Sequence, residues 1–438
     1  MNKHLDRNAA NKVVTIEKSN PECHTAQNRL YVPKASSRPN QKTSFSCVPQ
    51  RLLNDDISKA FYDVKKPLIN CEPNEIHDLA YELIQVLDVS GEAKGEWQPK
   101  LDADTLRLGL KHMMHVRAYD ERMFLMQRQG KLSFYLKSTG EEGIAVAQAM
   151  ALNFDDMLFP SYRQQGLLFA RNCPISKMMC QCISNAGDNL KGRQMPTFYS
   201  WKDGNFFSIS GNLATQYSQA VGWSMAAAYK GESTIASAWV GDGSTAEADV
   251  YHALLFASTY RAPVILNIVN NQWAISTPQS FASAGTTFAA RGIGFNMPSL
   301  RVDGNDFLAV YAVTQWAAER ARSGLGATLI ELVTYRAAGH STSDNPDGYR
   351  ASDEGEQWPL GDPIERLKDH LIHSKEWSEK QHIALDIELK EKIKQDWKNA
   401  LKHGSFEEGP HWPAESIFDD VFKEMPEHLR RQRQQLEG

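Results

Sequence analysis

Three short apolar runs, Ile235–Val240, Val264–Val269 and Thr328–Thr334, are the clearest periodic signals in the chain. Each is too short for a helix and carries β-branched residues, so each predicts a buried strand. Between the first two, Val250, Leu254 and Ala257 recur at i, i+4 and i+7, the spacing of one helix face. Glu247 and Asp249 fall in the first turn of that helix, where its dipole favours acids. Pro263 then marks the passage to the next strand. Alternation of this kind across about 155–340 predicts an α/β fold, a parallel sheet with helices on both faces.

Flanking segments have simpler patterns. A helix is predicted from Asp104 to Gln129, with Leu106, Leu110 and Met113 on one face. Ser138-Thr139 followed by Glu141-Glu142 predicts a capping box that opens a helix running to about Leu152. A third helix is predicted over 378–402, where Leu385, Leu389, Ile393, Trp397 and Leu401 are spaced by four and Gly404 is the stop signal. Residues 74–88 fit a strand or a helix equally well, and the terminal LRRQRQQLEG reads as a solvated charged helix. The polar, proline-dotted first 50 residues predict an extended or partly disordered arm. The organisation expected is this arm (1–50), an extension packing on the core or a partner (51–100), an α/β domain (101–375) and a C-terminal helical segment (376–438). No internal repeat is evident.

The chemistry lies where the strands end. Gly241-Asp242-Gly243 closes the first run and Asn270-Asn271 the second. In a parallel sheet these ends lie side by side, next to a helix N-terminus that offers N–H groups to a phosphate. An oxygen-preferring cation held by Asp242, Asn271 and a backbone carbonyl just beyond could bridge two phosphate oxygens. A lone Gly-Asp-Gly is usually only a turn. Agreement of spacing, element types and end residues makes the diphosphate–magnesium reading the stronger one.

The stretch GDGSTAEADVYHALLFASTYRAPVILNIVNNQWAIST resembles the thiamin-diphosphate motif of 2-oxo acid dehydrogenase alpha subunits. RQGKLSFYLKSTGEEG (128–143), SYRQQG (161–166), KGRQMP (191–196), SGNLATQ (210–216), RVDGNDFLAVY (301–311) and AGHSTSDNPDGYR (338–350) narrow the likeness. Together they resemble the alpha subunit of the decarboxylating component of branched-chain 2-oxo acid dehydrogenases, in its bacterial form. The resemblance implies a thiamin-diphosphate-binding fold with Asp242, Asn271 and the Trp273 carbonyl on magnesium. It places Tyr162, Arg163, Gly211, Leu213, Gly241, Gly243, Ser244 and His340 at the cofactor, with Leu213 supporting its bent form. Ser210, Asn212, Thr215 and Gln216 match a potassium site of some relatives; a helix cap is the competing reading. His340 matches the catalytic histidine that binds the diphosphate and aids acyl transfer to lipoamide. Ser341, Thr342 and Ser343 match a loop whose serine is phosphorylated in mitochondrial relatives.

The implied activity is oxidative decarboxylation of small branched-chain 2-oxo acids with reductive acylation of a lipoyl group. The implied partners are a beta subunit, in an assembly of two alpha and two beta chains, and a lipoyl-bearing acyltransferase. Two departures stand out: Val269 occupies a position where some relatives carry Arg, and Ser161 one where some carry Gln. Nothing matches the glutamate that contacts the cofactor's pyrimidine, which this family takes from the beta chain. A pyruvate or acetoin dehydrogenase alpha subunit and a non-catalytic structural relative are the alternatives. RQGKLSFY and the HSTSDN loop favour the branched-chain version.

Composition changes this picture little. The 438 residues are 42% hydrophobic and 23% charged, as in an ordinary globular protein. A net charge of −5 lacks the basic footprint of a nucleic-acid binder, and no apolar run approaches a membrane span. The six cysteines form no C-x-x-C pair and read as reduced thiols. Asp6, Glu17 and Glu22 fit poorly with an acid-poor transit peptide, which makes the cytoplasm the expected compartment and the mitochondrial matrix the alternative.

Overall fold

The computed structural model describes residues 63–437. The arm expected over 1–50 therefore lies outside the described residues, as does part of the 51–100 extension. Five strands form one sheet: β1 (Met157–Phe159), β2 (Ala236–Gly241), β3 (Val264–Asn270), β4 (Ser299–Asp303) and β5 (Thr328–Val333). Their order is β1-β2-β3-β5-β4 and every pairing is parallel. β4 and β5 are joined by the helix Phe307–Arg322.

Period-2 alternation along β3 sorts its side chains between two cores. Val264, Leu266 and Ile268 join Ala236, Ala238 and Val240 in a cluster with the helices Thr215–Tyr229 and Ala248–Thr259. Ile265 and Val269 face the other way, toward Trp239, Ile330 and the helices Ala103–Arg128 and Phe307–Arg322. Burial on both faces is what an all-parallel sheet requires. The second face also holds a buried polar chain. The Trp239 indole N–H donates to Gln148 Oε1 (2.5 Å), Gln148 Nε2 to Asn267 Oδ1 (2.7 Å), and Asn267 Nδ2 to Ser237 Oγ and the Ala238 carbonyl (2.9 Å each). Every member has a partner, so the chain fixes strand register instead of weakening the core.

Most predicted helices are present with shifted ends. Asp102 caps Ala103–Arg128 by accepting from the Thr105 N–H, and Ser378 caps Glu379–Leu401 in the same way. In the latter helix Leu385, Leu389, Ile393 and Trp397 are buried as expected, but Ala400 takes the fifth place and Leu401 is 38% exposed. Residues 74–88 resolve as 3-10 turns over Pro73–Ala80 followed by isolated bridges from Ile84 to Val302 and from Leu87 to Ala93. The capping box at Ser138 does not form. Asp120, buried inside the core, draws off both the backbone N–H and the hydroxyl of Ser138. The helix starts at Glu142, whose carboxylate accepts from the Gly140 N–H. The four cysteines among the described residues are free. No helix among them is long and apolar enough to cross a membrane.

Candidate cofactor and metal site

The register of β2 and β3 pairs Gly241 with Val269, and the Asp242 N–H donates to the Val269 carbonyl (3.1 Å). Asp242 and Asn271 thus leave neighbouring strands at the same C-terminal end of the sheet. The segment after Asp242 differs from expectation. Gly243–Ala246 is a single 3-10 turn, and the α-helix begins only at Ala248 after an extended Glu247. The Gly243 N–H donates to the Asp242 carboxylate itself (2.8 Å). Gly243 is required for packing: a Cβ there would lie 2.4 Å from that of Ala274. Gly241 faces open space.

Asp242 is 3% exposed, and its Oδ2 is buried without a hydrogen-bond partner. Burial pushes its carboxyl up to about 6, against the pull of the Gly243 N–H and Arg336. A buried oxygen of this kind, at a strand end beside that of Asn271 and without a proton donor, fits a cation. Asn271 donates through Nδ2 to Glu141 (2.7 Å), leaving Oδ1 with only a long contact from the Trp273 N–H (3.3 Å). The Trp273 carbonyl accepts from Arg336 (3.1 Å) and retains a second lone pair for a cation.

The two asparagines divide the work. Asn270 donates to Glu331 on β5 (2.8 Å), and Glu331 also accepts from the Ala289 N–H (2.9 Å). Asn270 ties adjacent strands together, and only Asn271 turns toward the pocket.

Across that pocket stand Tyr162, Arg163, Ser210, Asn212, Leu213 and Ser244. Arg163 is 4% exposed and donates to the carbonyls of Lys137 and His340, with His340 Nδ1 3.3 Å from Nη2. Tyr162 stacks on Phe198 and meets His340 edge-on. His340 is held by the donation of its N–H to Asp344 (2.7 Å), which also accepts from Tyr349. Burial first, then the charges of Arg163 and Arg336, lower its imidazole to about 4, so it is neutral near pH 7. Leu213 is 47% exposed and uncovered by its own chain. Gly211 sits in the same turn, against Phe198.

The oxygens of that turn are locally engaged. Ser210 Oγ accepts from the Asn212 N–H, and the Thr215 hydroxyl donates to the Asn212 carbonyl. Gln216 donates to the Trp239 carbonyl (2.7 Å). None of them caps the helix Thr215–Tyr229, whose N-cap is Ala214. Val269 is 1% exposed within the core, as an apolar residue should be.

Two buried residues at the site have no role there in the sequence pattern, where Glu141 figures only in the expected capping box. Glu141 contacts Asn271 and lies 3.6 Å from Arg163. Arg336 is 1% exposed and binds Trp273, Ile275 and Tyr349. Both come from segments far in sequence from Asp242, and no local spacing ties them to it.

An acidic strand end, an adjoining amide, a buried arginine and a neutral histidine around one cleft suit an anionic cofactor held through a cation. The chain belongs to the Dehydrogenase E1 component family, which it matches over residues 110–407. It is 55% identical over 409 residues to the 2-oxoisovalerate dehydrogenase subunit alpha of Pseudomonas aeruginosa, covering 93% of this chain and 98% of that one. It is 36% identical over 403 residues to the mitochondrial 2-oxoisovalerate dehydrogenase subunit alpha of Homo sapiens, covering 92% and 88%. With subunit alpha 1 of Arabidopsis thaliana the identity is 37% over 325 residues, covering 74% and 67%.

Proposed function

We propose that this chain is the alpha half of a 2-oxoisovalerate (3-methyl-2-oxobutanoate) dehydrogenase. It decarboxylates branched-chain 2-oxo acids and passes the acyl group to lipoamide. The observation that carries the site is the orphaned Oδ2 of Asp242 beside Asn271 at adjoining strand ends. Asp242, Asn271 and the Trp273 carbonyl would hold magnesium. Arg163, Tyr162, Ser244 and the backbone at Gly241 and Gly243 would anchor thiamin diphosphate, with Leu213 and Gly211 beneath it. Ser210, Asn212, Thr215 and Gln216 would hold a potassium ion that stiffens the neighbouring turn. Bound there, the cofactor supplies the electron sink for carbon–carbon cleavage next to a carbonyl.

The protein's own share is positional and electrostatic. Arg163 sets positive charge against the diphosphate with both guanidinium edges anchored, and His340, neutral near pH 7, can accept or donate a proton during acyl transfer. The pyrimidine-side glutamate is absent from this chain, so a beta subunit would complete each site, with a lipoyl acyltransferase as acceptor. The cytoplasm is the compartment proposed.

The purified chain, mixed with its beta partner, magnesium and thiamin diphosphate, should turn over 3-methyl-2-oxobutanoate faster than pyruvate. Failure to decarboxylate either would sink the enzymatic reading; preference for pyruvate would sink the branched-chain one. His340→Asn should impair lipoamide acylation more than decarboxylation measured with an artificial electron acceptor. Equal loss in both assays would remove the acyl-transfer role.

A further inference from the structure

Two buried glutamates stand side by side before the helix Glu142–Ala151, and they have different surroundings. Glu142 is fully engaged in the fold. One oxygen accepts from Arg117 Nε (2.8 Å) and the other from the Gly140 N–H (2.8 Å). Glu141, 2% exposed, faces the cofactor pocket instead. It makes no cap bond to its helix. Its Oε1 accepts from Asn271 Nδ2 at 2.7 Å and lies 3.6 Å from Arg163 Nε.

Such a carboxylate is a poor choice for stability, because burying an ion pair costs about as much as it returns. What Glu141 touches explains its presence. A carboxamide has the same shape with oxygen and nitrogen exchanged, so asparagine alone does not determine which atom it presents to a ligand. An acceptor that takes Nδ2 settles the matter and turns Oδ1 to the opposite side. Glu141 is that acceptor for Asn271. The same oxygen sets negative charge beside Arg163, whose remaining nitrogens are anchored to the Lys137 and His340 carbonyls.

We infer that Glu141 is the positioning residue of the cradle: it orients the Asn271 amide oxygen toward the cation and holds Arg163 for the diphosphate, joining the metal and phosphate halves of the site. The inference rests on the function proposed above. Residues behind a metal ligand typically contribute about 10- to 100-fold in metal affinity.

The test uses the assembled enzyme, freed of cofactor, as wild type, Glu141→Ala, Glu141→Gln and Glu142→Gln. Thiamin diphosphate affinity is titrated with magnesium, and manganese binding is followed by electron paramagnetic resonance. Melting temperatures are recorded without ligand. Glu141→Ala should lose about 10- to 100-fold in cation and cofactor affinity per folded molecule, and its ligand-free melting temperature should fall as well, because buried Asn271 Nδ2 and Arg163 lose their acceptor. Glu141→Gln, which keeps an acceptor oxygen but not the charge, should fall between. Its KM for cofactor should rise, with kcat recovering at saturation. Glu142→Gln should lower the ligand-free melting temperature and leave affinity unchanged. Wild-type affinity in Glu141→Ala would overturn the inference, and so would an equal affinity loss in Glu142→Gln. A wild-type enzyme without magnesium-dependent cofactor binding would overturn the functional reading itself, and with it the role of Glu141.

Discussion

Replacing Asp242 by asparagine should make the cofactor-free protein more stable while depriving it of its cofactor. In the folded chain burial raises the Asp242 carboxyl from 3.8 to about 6. At about 1.4 kcal/mol per pH unit, keeping it ionised above pH 6 costs the native state about 3 kcal/mol. Asparagine removes that cost and still accepts the Gly243 N–H. Its own amide group would lack a partner where Oδ2 lacks one now, so the net gain is smaller, about 1–2 kcal/mol. The sign with pH comes from the raised value. Between about 4 and 6 the folded wild type holds a proton that the unfolded chain has released, so its stability falls as pH rises through that window. The variant has no such slope at this position. The variant should therefore be about 1–2 kcal/mol less stable than the wild type near pH 4, cross it as pH rises, and reach its plateau advantage above pH 6.

Urea denaturation of the cofactor-free assembly at several pH values measures the difference directly. Adding thiamin diphosphate and magnesium at about a hundred times the wild-type dissociation constant should reverse the order, since ligand at that excess contributes about 2.7 kcal/mol to the wild type. An Asp242→Asn protein less stable than wild type at pH 7.5, or a difference that does not vary with pH, would refute the reasoning.

Gly243→Ala should lower cofactor affinity on the order of tenfold, because its Cβ must displace Ala274; isothermal titration would show it. Asn270→Ala should cost about 1–3 kcal/mol of stability by stranding Glu331, with cofactor affinity per folded molecule little changed. Gln148→Leu leaves the Trp239 indole N–H and Asn267 Oδ1 without partners and should cost about 2–4 kcal/mol in chemical denaturation. Burial and two arginines lower His340 from 6.5 to about 4, so its stabilising contribution is present above 6.5 and lost as pH falls toward 4. His340→Asn should flatten that acid limb in thermal melts, and an unchanged limb would contradict the assignment.

How much of this could be read from the sequence depended on how far apart the cooperating residues lie. Asp242 and Asn271 were legible because one strand–helix–strand unit contains both, and period and spacing fix where its strands end. Interruption of the helix at Glu247 was not, since acids near a helix start do not reveal that Gly243–Ala246 forms a separate 3-10 turn. Ser138 misled because its cap signal is local, whereas the stronger acceptor, Asp120, lies in another helix. Glu141 and Arg336 acquire a role only when the sheet brings 141, 163, 271 and 336 together. The asparagine pair illustrates the same limit: sequence shows two adjacent amides, and only the β3–β5 pairing separates the one that binds Glu331 from the one that faces the pocket.

The β2–β3 register has a mechanical consequence. Asp242 and Asn271 directly follow two hydrogen-bonded strands in the middle of a five-stranded sheet, whose backbones lie about 4.8 Å apart, with Asn271 one residue beyond the position level with Asp242. No loop motion can widen that gap without breaking the sheet. Opposite them, Arg163 and His340 are held by side-chain bonds, Arg163 to the Lys137 and His340 carbonyls and the His340 backbone N–H to Asp344. The pocket is thus a vice with one fixed jaw and one adjustable jaw. The cation end takes its dimensions from strand pairing, and the opposite end from side-chain contacts.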